Sequence, residues 1–236
     1  MTLVWKASRS LCFVLLLAAL SVQAQISSRT PTLPVAESQV LTVPHAAFPI
    51  DVLVKSPAAT QTDLQVICLF QAEPGHTFHG SLTEIDEKLG GLLSRVHQSN
   101  LFSGALGETL LIAPKPGTIP ARRLLLIGLG DAETFSAQRE QQVGFIFFTE
   151  AERLGVSHPY FAPTVLDGGK AGTDTGDVAQ QFLIGFLRAK AIQDLLKNAG
   201  VAGGTSPRSL TFLAGPTHAA NTRDGLARAF TTTQLR

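Results

Sequence analysis

Apolar and polar positions change period several times along this chain, and each change marks an element. From Ile50 to Lys55 apolar and polar residues alternate with β-branched side chains, which predicts a strand. Asp63 to Phe70 is more continuously apolar and predicts a second, deeper strand. Leu82, Ile85, Leu89, Leu92, Leu93 and Val96 then recur at steps of three and four, one face of a helix. Ser81-Leu82-Thr83-Glu84 has the capping-box pattern at its start, and Asn100 can end it. Thr109 to Ala113 and Arg123 to Gly128 predict two further strands. The second is nearly all apolar, as in a central strand covered on both faces.

A helix is expected from about Ser136 to Leu154, ending at Gly155, and a weak strand at His158 to Phe161. Asp177 to Ala199 predicts a long helix with Val178, Phe182, Phe186, Ala189, Ile192 and Leu196 on one side, capped by Gly200. A short strand, Leu210 to Leu213, and a helix, Ala219 to Phe230, close the pattern. Strands alternating with long helices argue for an α/β layered domain on a mostly parallel or mixed sheet.

The first residues read differently. Lys6 and Arg9 precede the apolar run Leu11 to Leu20, and Ser21-Val22-Gln23-Ala24 follows. That is the pattern of a secretory signal cut after Ala24, and the run is short of the roughly 20 residues a membrane span needs. Residues 25–46, with Pro31, Pro34 and Pro44, read as a tether or irregular edge, and 47–236 as one domain with a C-terminal helical extension. The expected location is periplasmic or extracellular, with no membrane association after cleavage.

Composition adds exclusions. Lys and Arg number 19 against 18 Asp and Glu, a net charge of +1 that falls to −1 without Lys6 and Arg9. No basic stripe for nucleic acid follows from this balance. Two cysteines exclude a disulfide scaffold, and Cys68 sits in an apolar strand as a structural thiol.

Candidate chemistry is sparse. Gly128-Leu129-Gly130-Asp131 ends the central strand ahead of a helix, where glycines let a phosphate approach the backbone. The third glycine of a dinucleotide fingerprint is missing, since Glu133 stands there. Ser103-Gly104-Ala105-Leu106-Gly107-Glu108 is a second glycine loop beside a strand. Gly104, Gly107, Gly128, Gly130 and Asp131 are therefore the candidate cleft, two loops at strand ends that could flank one ligand, against the plainer reading of tight turns. His76 and His79 lie three apart in a loop without enough partners for zinc, and are read as surface histidines. No Gly-x-Ser-x-Gly elbow occurs, and Asp167-Gly168-Gly169-Lys170-Ala171-Gly172 lacks the Ser or Thr of a phosphate loop and reads as a flexible loop. No cofactor or metal site is expected.

Several stretches carry a resemblance. Val66-Ile67-Cys68-Leu69-Phe70, then Ile85-Asp86 and Gly90-Gly91, Phe102-Ser103-Gly104-Ala105-Leu106-Gly107-Glu108, and Ile119-Pro120-Ala121-Arg122-Arg123 through Gly128-Leu129-Gly130 occur in order. Together they resemble the N-terminal domain of the leucine (cytosol) aminopeptidase family. The resemblance implies a macro-domain-like, three-layer α/β/α sandwich with a mixed, mostly parallel sheet. It implies no catalytic residue here, because the family's two-metal chemistry belongs to a C-terminal domain and this sequence ends at Arg236. The expectation is an exported, non-catalytic binding or oligomerisation module, partnered by itself or by a peptidase subunit. The alternatives are a small-ligand module for nucleotides or ADP-ribose, and a remnant of a metallo-aminopeptidase without a role.

Overall fold

A computed structural model describes residues 38–233 except 45, 47, 74 and 76. The expected export segment and cut, most of the 25–46 stretch, and His45 and His76 lie outside the described residues.

Seven strands form one sheet: β1 (Val40–Thr42), β2 (Ile50–Val54), β3 (Gln65–Leu69), β4 (Thr109–Ile112), β5 (Leu124–Gly128), β6 (Tyr160–Ala162) and β7 (Leu210–Ala214). Their order is β1-β2-β7-β6-β3-β5-β4. The five inner strands run parallel, and β1 and β4 are antiparallel edges. Val40–Thr42, within the stretch expected as a tether or irregular edge, pairs with β2 as an edge strand.

Helices α1 (Gly80–Lys88) and α2 (Leu92–Gln98) cover one face; α3 (Glu140–Arg153), α4 (Thr175–Asn198) and α5 (Ala219–Thr233) cover the other. Alternation within the inner strands supplies both layers at once. In β3, Val66 and Cys68 pack towards α3 and α4, whereas Ile67 and Leu69 pack towards α1 and α2. In β5, Leu125 and Ile127 divide from Leu124 and Leu126 in the same way. This is the layered α/β domain on a mostly parallel sheet that the pattern predicts, and the α/β/α sandwich that the family resemblance implies.

The α3–α5 layer is built on phenylalanine. Phe161 and Phe182 stack with ring centroids 4.0 Å apart, and Phe147 and Phe212 meet them edge-on. Such pairs contribute about 0.5–1.5 kcal/mol each beyond the area they bury.

One helix expected from Ser81 to Asn100 is in fact two. Gly90 and Gly91 both take positive φ, 66° and 75°, and stop α1. The Asp86 carboxylate then accepts the Ser94 backbone N–H at 3.2 Å and its hydroxyl, restarting the chain as α2. The apolar spacing runs on across this break because α1 and α2 face the same layer. The capping box also fails to form. Ser81 lies inside α1, and Glu84 accepts instead from the Ser56 hydroxyl at 2.5 Å and pairs with Lys88 at 3.0 Å.

Candidate functional site

The carboxyl ends of the parallel strands form the side of the sheet where α/β folds bind ligands. The two glycine loops expected to form a cleft are both there, and they come together, but against each other. Gly107 N–H donates to the Gly128 carbonyl at 2.9 Å, Gly130 N–H to the Gly104 carbonyl at 2.8 Å, and Gln71 N–H to the Gly130 carbonyl at 2.8 Å. With Gly128 N–H also donating to Glu108, residues 107 and 108 together oppose Gly128, which is a β-bulge with a left-handed glycine. Contact is too close for side chains. A Cβ on Gly128 would lie 2.0 Å from the Ala105 carbonyl oxygen, and one on Gly104 would lie 2.2 Å from that of Phe70.

Arg139 covers the outer turn, donating to the carbonyls of Leu129 at 3.2 Å and Asp131 at 2.8 Å. The Asp131 carboxylate accepts from the Glu133 N–H at 2.7 Å. These glycines thus interlock the ends of β3, β4 and β5, and neither they nor Asp131 line the cavity described next.

A cavity of about 540 Å³ opens elsewhere along the same side, at the ends of β2, β6 and β7. Its walls are mainly apolar: Val54, Ala162, Val165, Leu166, Val178 and Phe212. Polar groups enter from four directions: Lys55 and Ser56 after β2, Ser81 at the start of α1, Asp167 and Thr173 between β6 and α4, and His218 before α5. Sequence reasoning missed this site because β2 and β7 come from opposite ends of the chain and only pairing such as Val54 with Ala214 brings them together. The available signal was the weak strand at Tyr160–Ala162, which makes 163–174 a strand-end loop.

That loop is firmly held. The Thr164 hydroxyl donates to the Cys68 carbonyl at 2.6 Å and accepts the Cys68 N–H at 2.9 Å, with Thr164 itself at φ 51°. Asp167 reaches α1. Its carboxylate accepts the Ser81 N–H at 3.1 Å and the Ser81 hydroxyl, and its carbonyl accepts the His79 N–H at 3.0 Å. The carboxylate satisfies donors at a helix start, where a negative charge is also favoured by the dipole. Replacing Asp167 by alanine should therefore cost about 1–2 kcal/mol, seen as a lower urea midpoint. Asp131→Ala, at an exposed turn, should move the midpoint by less than about 0.5 kcal/mol.

Asp174 caps α4 in the ordinary local way, accepting the Asp177 N–H at 2.9 Å and the Asn221 amide at 3.0 Å. The Asp177 N–H holds its carboxyl below the usual value, with Asn221 assisting. Asp167 in the cavity lining and Asp174 at the start of α4 are thus both engaged. Among the described residues, the Lys55 ammonium and the His218 ring have no hydrogen-bond or ion-pair partner. The arrangement offers an apolar chamber with two unengaged basic groups at the neighbouring ends of β2 and β7. Among the described residues, no three His, Cys, Asp or Glu gather as metal ligands, and no helix is long and apolar enough to cross a membrane.

Comparison with known proteins agrees with the fold. The chain resembles the Oceanobacillus iheyensis macrodomain with a TM-score of 0.57 and 13% identity, over 82% of this chain and 99% of that one. A variant of that macrodomain solved with ADPR matches with a TM-score of 0.56 at 10% identity, over 84% of this chain and all of that one. A tomato leucine aminopeptidase variant matches with a TM-score of 0.54 and 19% identity, over 81% of this chain but only 37% of the enzyme. In sequence, a probable cytosol aminopeptidase of Thermosynechococcus vestitus is 31% identical over 114 residues, which is 46% of this chain and 23% of that protein. Residues 66–199 match the model of the cytosol aminopeptidase family's N-terminal domain. The chain belongs to the cytosol aminopeptidase family, and the part of the family that it matches is the N-terminal domain.

Proposed function

We propose that this chain is an exported, non-catalytic binding module that holds an amphipathic, anionic small molecule of the nucleotide or ADP-ribose class in the cavity at the ends of β2, β6 and β7. The cavity itself carries the reading. Its volume of about 540 Å³ falls within the range of small-molecule sites, and its walls are apolar with a few polar groups at the rim. An apolar body would lie against Val165, Val178 and Phe212, and an anionic group would face Lys55 and His218. The ADPR-bound structure of a protein with this fold supports the ligand class. The matches to the N-terminal domain alone support a non-catalytic role. Export rests on the pattern of residues 1–24.

Thermal unfolding of the mature chain with ADP, ADP-ribose and inorganic phosphate tests the reading. Ligand at about a hundred times its Kd adds about 2.7 kcal/mol, or roughly 5–10 °C for a domain of this size. ADP or ADP-ribose should raise the Tm by that order, phosphate alone should not, and Lys55→Ala should remove most of the shift. No shift with any nucleotide at millimolar concentration would refute the ligand class.

A further inference from the structure

The described chain begins beside the cavity. Strand β1 runs antiparallel to β2 with Val40 opposite Leu53. Just before it, the Ser38 N–H donates to the Val54 carbonyl at 2.6 Å, and the Val54 N–H donates to the Gln39 carbonyl at 3.0 Å. Val54 and Lys55 are part of the cavity wall. Ser38 takes φ 65°, a left-handed conformation uncommon for a residue with a side chain, so the chain leaves the line of β1 there. Residue 37 therefore departs next to Lys55.

The residues that come before Ser38 are Thr32-Leu33-Pro34-Val35-Ala36-Glu37, four apolar residues in a row followed by one carboxylate. In an extended chain Leu33, Val35 and Glu37 share one side. The cavity offers the complement of that side: walls that are mainly apolar, and at its β2 edge the Lys55 ammonium, which has no partner among the described residues. Reach is ample. Strands β2, β7 and β6 lie side by side, so the cavity spans about 10 Å from Lys55 to the loop after β6. Six extended residues cover roughly 20 Å. Pro34 fixes its own φ and biases Leu33 towards extended conformations, so docking orders less free chain.

We infer that residues 32–37 dock in this cavity as the chain's own occupant, with Leu33 and Val35 against the apolar wall and Glu37 at Lys55, so that a ligand must displace them. The point of attachment selects this segment over a separate partner. A segment joined directly to the rim acts at an effective concentration of about a millimolar or more, so contacts too weak to hold a free peptide are enough. In its effect on a ligand the inference rests on the binding role proposed above; the docking itself does not.

The chain from residue 25 is tested with two cysteines, Leu33→Cys and Val178→Cys, under copper–phenanthroline. An intrachain disulfide should form, since docking brings the two positions within the 4.4–6.8 Å between Cα atoms that such a bond needs. Leu33→Cys with Cys in place of the exposed Ser99 should stay largely reduced. By calorimetric titration, ADP-ribose should bind a chain starting at Ser38 at least tenfold more tightly than the chain from residue 25. The shortening removes Arg29 and Glu37, one charge of each sign, so the net charge does not change. Leu33→Ser in the longer chain should give part of the same gain, and it leaves every described residue in place.

A disulfide yield no higher than with Ser99→Cys overturns the docking, and so does a disulfide-linked dimer. A disulfide with the same ADP-ribose affinity in all three chains overturns the competition. If none of the chains binds ADP-ribose, the ligand reading fails, and the disulfide alone decides whether the segment docks.

Discussion

Gly185→Ala should leave the protein unable to hold its native fold. Gly185 of α4 sits where α3 crosses, and a Cβ there would lie 1.8 Å from the Gln141 carbonyl oxygen and 2.6 Å from its carbon. Its counterpart on α3 is Gly144, where a Cβ would lie 2.0 Å from the Phe182 carbonyl oxygen. Each helix therefore meets the other's backbone through a glycine, and no rotamer change relieves a clash with a carbonyl. The helices must separate, which also parts the Phe147, Phe182 and Phe186 rings packed between them. Overpacking with side-chain neighbours commonly costs 1–3 kcal/mol; here the expected loss is about 4 kcal/mol or more. That is a large share of the stability of an ordinary domain. Soluble yield and the urea midpoint give the readout. Gly203→Ala, with nothing within 4 Å of its Cβ, should stay within about 0.5 kcal/mol of the parent. A Gly185→Ala protein with the parent's midpoint would mean that α3 and α4 are not held as close as described.

Stability should also fall as the pH rises from 5 to 8, and Glu140→Gln should remove most of that fall. Glu140 begins α3 with no exposed surface, and neither carboxyl oxygen has a hydrogen-bond partner among the described residues. Burial pushes its pKa up from 4.5 to about 8. The folded state therefore keeps the proton over a range in which the unfolded chain has released it. Stability is fully present below about pH 4.5 and is lost at about 1.4 kcal/mol per unit until the folded group ionises near pH 8, or about 3–5 kcal/mol in all. The same charge, once formed, would reach Cys68, whose thiol is pushed up first by burial and then by Glu140. Denaturation midpoints at pH 5, 6, 7 and 8 should slope for the parent and run nearly flat for Glu140→Gln. A parent that is equally stable at pH 5 and pH 8 would show that the carboxylate is solvated or paired.

The sheet was largely legible because its signals are local. Gln65–Leu69 and Leu124–Gly128 are buried on both faces, and that burial makes each an apolar run. Val40–Thr42 escaped notice as three residues with one strand neighbour among prolines, where little alternation is needed. Gly90-Gly91 was invisible as a break because the apolar spacing serves two helices on one layer. The Gly144–Gly185 crossing could not be read either, since the reason for each glycine lies on another helix. The same holds for the cavity. The strand-end glycines lie on the same side of the sheet as the cavity, yet Lys55, Asp167 and His218 belong to three distant loops, and only the strand order β2-β7-β6 gathers them.

The Asp167 clasp bears on the order in which the molecule assembles. At nine residues α1 is too short to persist alone in water, and the carboxylate on its first turn arrives from 86 residues downstream. The 163–167 segment can reach that position only after β6 has docked beside β3, which is a parallel pairing across a long stretch of intervening chain. The α1–α2 layer is thus consolidated late, after the centre of the sheet. During synthesis, a nascent chain that has not yet emerged beyond residue 167 carries an uncapped α1 and exposes the apolar side of β3 that this layer will cover.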